Sequence, residues 1–196
     1  MTMLAVMRHG PTAWNAAKLN QGRSDVPLSE AGRRAVRGWT NIEPWRAARV
    51  YCSPLRRARE TARLVFGRAE IEPRLIEMSW GDWEGRGLDE LRRELGPEMQ
   101  ANEDRGFDFM PPGGESPRDV AERLRPWLAE VARCGHDCVA VTHRGVLRVL
   151  FALAFDWPML GKPPLKIGDA TIHEFGLAPD GAPRPLRMNI PLSPSS

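Results

Sequence analysis

Short uninterrupted apolar runs alternate with helix-start signals along this chain, and that alternation leaves few folds open to it. Leu4-Ala5-Val6-Met7 and Val139-Ala140-Val141 are too short for core helices and offer no polar face to water. They read as strands buried on both sides, over residues 3–7 and 137–142, with a third short strand over 48–52. Between them lie Ser29-Glu30, Ser53-Pro54 and Ser116-Pro117. A serine hydroxyl can take an orphan helix N–H, and proline fits the first helical position. These signals predict helices from Ser29 toward Trp39, from Ser53-Pro54 to about Phe66, and from Ser116-Pro117 to about Arg133 with a kink at Pro126. Another follows His143 to about Phe155. Residues 71–78 read as extended, 89–94 as helical, and 96–115 as a loop or partly helical lid. Residues 170–175 and 186–190 read as late strands.

Strands alternating with helices imply a parallel sheet covered on both faces, an α/β architecture. In such sheets ligands sit beyond the carboxyl ends of the strands. Arg8-His9-Gly10, Ser53 with Arg56, and Thr142-His143-Arg144-Gly145 each follow a predicted strand. Separate segments therefore converge on one pocket.

At 196 residues the chain fits a single domain spanning 1–196, with residues 191–196 expected to fray. No apolar stretch approaches the ~20 residues needed to cross a bilayer. The N-terminus carries no basic leader, and a cytoplasmic protein is expected. Three cysteines, Cys52, Cys134 and Cys138, are too few and too uneven for a disulfide framework. Cys134, His136 and Cys138 lack a second ligand pair at zinc spacing. Nearly all of the 28 basic residues are arginine, a bias that suits phosphate but equally reflects genome composition. They are interspersed with acids, so no nucleic-acid stripe is indicated.

A histidine that attacks a phosphoryl group needs its other ring nitrogen held, usually by a backbone carbonyl. It needs cations or N–H donors around the phosphoryl oxygens, because phosphoryl transfer depends mostly on positioning and charge stabilisation. It also needs an acid for the departing alkoxide and a base for water. His9 is the candidate nucleophile, Arg8, Arg56 and His143 are candidate oxygen ligands, and Asn15 is a further amide donor. Glu77, Asp82 and Glu84 are the acidic candidates.

The ordered motifs carry a resemblance. Arg8-His9-Gly10-Pro11-Thr12-Ala13-Trp14-Asn15 resembles the opening signature of the histidine phosphatase superfamily, phosphoglycerate mutase-like branch, and residues 21–32 resemble the segment after it. Ser53-Pro54-Leu55-Arg56-Arg57-Ala58-Arg59-Glu60-Thr61-Ala62 is similar to its second arginine motif. Residues 75–85 resemble its acid-bearing loop, and 112–116 its next helix entry. Val141-Thr142-His143-Arg144-Gly145-Val146-Leu147-Arg148 completes the series. The resemblance implies a three-layer α/β/α sandwich with a mostly parallel sheet. It implies a phosphorylated His9, phosphoryl binding by Arg8, Arg56 and His143, and proton donation by Glu77. Asn15 would assist at the phosphate, with Gln21 and Gly22 beside the pocket. It implies no metal and no cofactor, and a small phosphorylated molecule as partner.

Two positions depart from the family pattern. Arg144 stands where glycine is common, either adding charge over the substrate or pointing away and restricting the turn. Pro11 replaces a frequent acid and stiffens the loop. Mutases of this family carry an inserted segment with paired basic residues for the substrate carboxylate, whereas residues 96–110 here are acidic with one arginine. A phosphatase is therefore expected, similar to small broad-specificity or α-ribazole phosphatases. A phosphoglycerate mutase and a catalytically silent phosphate-binding scaffold are the alternatives. Trp14, Trp80 and Trp83 either line an apolar pocket for the leaving group or pack against the fold.

Overall fold

Residues Leu4 to Met7 form the buried middle of strand β1 (Thr2–Arg8) in the computed structural model, which describes residues 1–193. Because side chains alternate along a strand, this unbroken apolar run supplies two cores at once. Leu4 and Val6 face one core with Val120, Leu124, Val146 and Leu150. Ala5 and Met7 face the other with Val36, Trp45, Ala58 and Ala62. Strand β4 (Cys138–Thr142) is buried at all five positions and divides the same way, Cys138 and Ala140 on one side and Val139 and Val141 on the other.

The remaining strands are β2 (Arg49–Cys52), β3 (Glu70–Ile71), β5 (Thr171–Leu177) and β6 (Pro183–Pro191), giving one six-stranded sheet in the order β3-β2-β4-β1-β5-β6. The first four strands in chain order run parallel, and β5 and β6 are antiparallel additions beyond β1. Helices α2 (Glu30–Arg37) and α3 (Arg56–Phe66) cover one face. Helices α6 (Pro117–Cys134) and α7 (Arg144–Phe155) cover the other, completing the three layers. The short α1 (Ala13–Ala16), α4 (Leu88–Leu95) and α5 (Pro97–Glu103) sit in the connections. Among the described residues no helix is long and apolar enough to cross a membrane.

Three local expectations are corrected. The extended segment expected over 71–78 stops at Ile71, because Pro73 has no N–H for a ladder and opens a single 3-10 turn, Pro73–Leu75. The second core-facing helix begins at Arg56 rather than at Ser53-Pro54. Its first N–H groups are not capped by Ser53; the Asp25 carboxylate accepts from the Arg56 N–H at 2.7 Å instead. The tail expected to fray from Pro191 is held further: Pro191 ends β6, and Leu192 is fully buried with its N–H donating to the Ala170 carbonyl at 3.0 Å. Residues 194–196 lie outside the described residues.

Candidate active site

The carboxyl ends of β1, β4 and β2 finish side by side. Arg8 pairs with Thr142, and Cys52 with Val141. The next residues stay on that line: the His9 N–H donates to the Thr142 carbonyl at 2.9 Å and the Ser53 N–H to the Val141 carbonyl at 3.0 Å. His9, Ser53 and His143 are thus brought together from three distant segments. Arg8, His9, Arg57 and Glu77 share the lining of a cavity of about 1100 Å³ beside them.

His9 Nδ1 lies 2.7 Å from the Gly10 carbonyl. A carbonyl can only accept, so neutral His9 carries its proton on Nδ1, and Nε2 keeps an unshared pair. Burial, then Arg8 and Arg57, hold the imidazole well below its ordinary pKa, so the neutral form prevails at neutral pH. Gly10 is needed for this placement, since a Cβ there would collide with Val36.

The His143 ring centre is 5.1 Å from that of His9, and the residue is fully buried. Its Nε2 is 2.7 Å from the Ser53 hydroxyl, which also accepts from the Leu55 N–H. Ser53 Oγ–H has no other acceptor among the described residues, so it donates to Nε2 and leaves the proton of neutral His143 on Nδ1. That Nδ1 is buried and has no protein partner.

Arg8 and Arg57 present the same kind of opening. Arg57 is fully buried, and its Nη1 and Nη2 donate to the Ser24 and Gly22 carbonyls, both at 2.7 Å. Its Nε is buried without a partner, as is the Nε of Arg8. Burial lowers both guanidinium pKa values. Arg56, the sequence candidate, is not brought into the site. Its side chain is 55% exposed and lies 3.7 Å from Glu60, one helical turn along. Arg57 occupies the pocket in its place.

Glu77 is buried, with Met78 N–H donating to Oε1 at 2.9 Å and Gly145 N–H to Oε2 at 3.2 Å. Burial raises its pKa, against the pull of those N–H groups and of Arg57 and Arg8. A carboxyl so balanced can hold a proton for a leaving group and take one from water. A Cβ on Gly145 would collide with Glu77 Oε1, so this glycine makes room for the carboxyl.

Asn15 and Gln21 both line the cavity and are tied by Thr12, whose hydroxyl lies 3.1 Å from Asn15 Oδ1 and 3.0 Å from Gln21 Oε1. Gly22 lines it too, at φ +49°, with its carbonyl on Arg57. Glu84 is occupied elsewhere: it accepts from the N–H groups of Arg23 and Ser24 and bolts their loop to its own. Asp82 is exposed outside the cavity. Trp80 lines the cavity, whereas Trp83 packs in a small core with Leu91 and Met99 and Trp14 packs beside Gly85. Arg144 lines the cavity, and so does Arg148, the last residue of the motif that begins at Val141. Among the described residues no group of three or more His, Cys, Asp or Glu is placed to hold a metal ion.

A buried imidazole with one nitrogen fixed thus lies near open N–H donors and a buried carboxyl. Residues 4–191 match the model of the histidine phosphatase superfamily, branch 1. The chain belongs to that superfamily and is an enzyme of its phosphatase class. It is 33% identical over 179 residues to a glucosyl-3-phosphoglycerate phosphatase of Mycobacterium tuberculosis, covering 81% of this chain and 79% of that one. It is 32% identical over 163 residues to a 2,3-bisphosphoglycerate-dependent phosphoglycerate mutase of Methylorubrum populi, covering 76% of each. The solved structure of a mycobacterial glucosyl-3-phosphoglycerate phosphatase with vanadate superimposes with a TM-score of 0.79 at 28% identity, covering 99% of this chain and 100% of that one.

Proposed function

We propose that the protein hydrolyses phosphate monoesters in two steps through a phosphohistidine on His9, without a metal ion. His9 Nε2 attacks phosphorus, and the ester P–O bond breaks as Glu77 gives its proton to the departing oxygen. Glu77, now a carboxylate, takes a proton from water while the water oxygen attacks phosphorus and the P–N bond breaks. Phosphate leaves, and His9 and Glu77 return to their starting protonation states. Arg8, Arg57 and His143 meet the phosphoryl oxygens, with Asn15, Gln21 and Gly22 at the side.

One observation supports this most strongly. Nδ1 of His9 is occupied by Gly10, while three nearby buried nitrogens, Arg8 Nε, Arg57 Nε and His143 Nδ1, lack protein acceptors. Buried donors are nearly always satisfied, so these open donors support the binding of an oxyanion here. Hydrolysis is favoured over mutase chemistry because residues 96–110 bring Gln100, Glu103 and Asp104 to the cavity but no cation.

Phosphate release from a panel of monoesters with chelator present, by wild type and His9→Ala, tests the proposal. Release by wild type alone is expected. Activity kept by His9→Ala, or abolished by chelator, would refute the mechanism. Isomerisation of 3-phosphoglycerate with little release would assign a mutase, and no turnover of any ester a silent scaffold.

A further inference from the structure

The cationic residues of the cavity are unequally committed. Arg92 is bound to Glu103 at 2.7 Å, and Arg8 to Asp169 at 3.2 Å. Arg57 is spent on two carbonyls. Lys18, Arg144 and Arg148 also line the cavity, and no carboxylate of the described residues lies within 4.0 Å of any of them; of the three, only Arg144 and Arg148 stand on one helix, α7.

These two arginines stand four residues apart at the start of α7, hence on one face, about 6 Å apart along its axis. Arg148 is pre-set by packing, its Cζ lying 5.4 Å from the centre of the Trp157 ring. Burial and then the charge of Arg144 lower its pKa, and Arg144 likewise disfavours the charge on Arg8. Two like charges held together at a pocket wall are costly until an anion arrives between them.

Their position fixes which part of a substrate they meet. Arg144 sits between His143, beside the nucleophile, and Gly145, whose N–H holds Glu77. Glu77 serves the departing oxygen, so Arg144 lies on the leaving-group side. Arg148 follows one turn along α7.

Building on the hydrolase reading, we infer that Arg144 and Arg148 form a second anion subsite, and that the preferred substrate is a phosphate monoester whose alcohol portion carries another anionic group. Both carboxylate and phosphate match the planar guanidinium fork. The subsite also alters what residues 96–110 imply. Their acidic character leaves a second anion to be met from α7.

Glycerol 3-phosphate, 3-phosphoglycerate and glycerol 1,3-bisphosphate share a three-carbon frame and differ at the far end. Wild type is expected to show a kcat/KM at least about tenfold higher on one or both esters with a second anion than on glycerol 3-phosphate. The higher of the two names the second anion. Arg144→Ala and Arg148→Met should each cut that ratio about tenfold, the size of one charge-assisted hydrogen bond, and Arg144→Lys should restore part of it. A wild-type ratio near one, or variants that slow all three esters equally, would overturn the subsite. Calorimetric binding of the same three esters to His9→Ala separates this inference from the hydrolase reading. Tighter binding of the second-anion esters, lost in His9→Ala combined with Arg144→Ala, upholds the subsite even if wild type releases no phosphate. Equal binding of all three refutes it even if hydrolysis is fast.

Discussion

The Ser53 hydroxyl donates to His143 Nε2 at 2.7 Å, and this one bond decides which nitrogen of His143 stays open toward the pocket side. Ser53 looks in sequence like an ordinary helix cap. Its hydroxyl is instead turned to the site, while Asp25 serves the helix start. Ser53→Ala removes the bias toward Nδ1–H on neutral His143. We expect kcat/KM to fall about tenfold, the worth of one buried hydrogen bond, with Tm changed by only a few degrees. An unchanged kcat/KM would mean that His143 finds its orientation elsewhere.

The adjacent arginines at the start of α3 should behave oppositely. Arg57→Ala removes a buried guanidinium facing the oxyanion and should lower kcat/KM by about 10²–10³-fold, the range for loss of one transition-state donor. Arg56→Ala removes an exposed side chain in a long contact with Glu60 and should change it less than about threefold, as for most surface ion pairs. Steady-state assays on one ester, with Tm measured to confirm folding, distinguish the two.

Glu77 is assigned the proton of the leaving oxygen, so its loss should depend on how much that oxygen needs a proton. Glu77→Gln is expected to slow phosphorylation by an alkyl phosphate about 10²–10⁴-fold, the span of general acid catalysis. With a nitrophenyl phosphate, whose leaving group departs unaided, the first step should slow much less. Equal losses on both esters in single-turnover assays would remove Glu77 from the role of acid. Gly145→Ala, which forces the carboxyl to move, should reproduce the same dependence in weaker form.

Acid should destabilise the protein through its buried histidines. Burial pushes His173 down to about 4 in the fold, and its Nδ1 accepts from the Asn189 N–H at 3.1 Å. Unfolded histidine takes its proton near ~6.5. This group's contribution is therefore complete above about 6.5 and is lost as pH falls from there toward about 4. His9 and His143, also held well below their ordinary values, add loss in the same direction. Glu77, with its pKa raised, has the opposite sign: it favours the fold at low pH and loses that contribution as pH rises through its raised value. Thermal unfolding between pH 7 and 4.5 should show Tm falling with acid, and His173→Asn should flatten the slope. A slope unchanged by that substitution would place the titration elsewhere.

Strands β1 and β4 were legible because an apolar run with no polar face can be satisfied only between two cores. Convergence of His9, Ser53 and His143 followed from parallel strands ending level. The choice between Arg56 and Arg57 was harder, since both are arginine and neighbours. The deciding signal is the small-residue stripe: Ala58, Thr61 and Ala62 are buried with Arg57, so Arg57 continues the packed face while Arg56 and Arg59 look outward. Ser53 misled because a hydroxyl before a helix has the same local meaning whether it caps or turns away; the competing cap, Asp25, lies 31 residues before the Arg56 it serves. Whether Arg144 faces the pocket or solvent depends on packing of the α7 start against Glu77, a tertiary fact with no local signature.

The most direct test of the account is chemical trapping of the intermediate. A substrate labelled with ³²P at its phosphoryl group, mixed with enzyme and quenched in base within milliseconds, should leave an acid-labile label on one peptide. We predict that this peptide carries His9, that the label forms and decays at rates compatible with kcat, and that His9→Ala gives none. Turnover without any protein-bound phosphate, or label on a residue other than His9, would contradict the central claim.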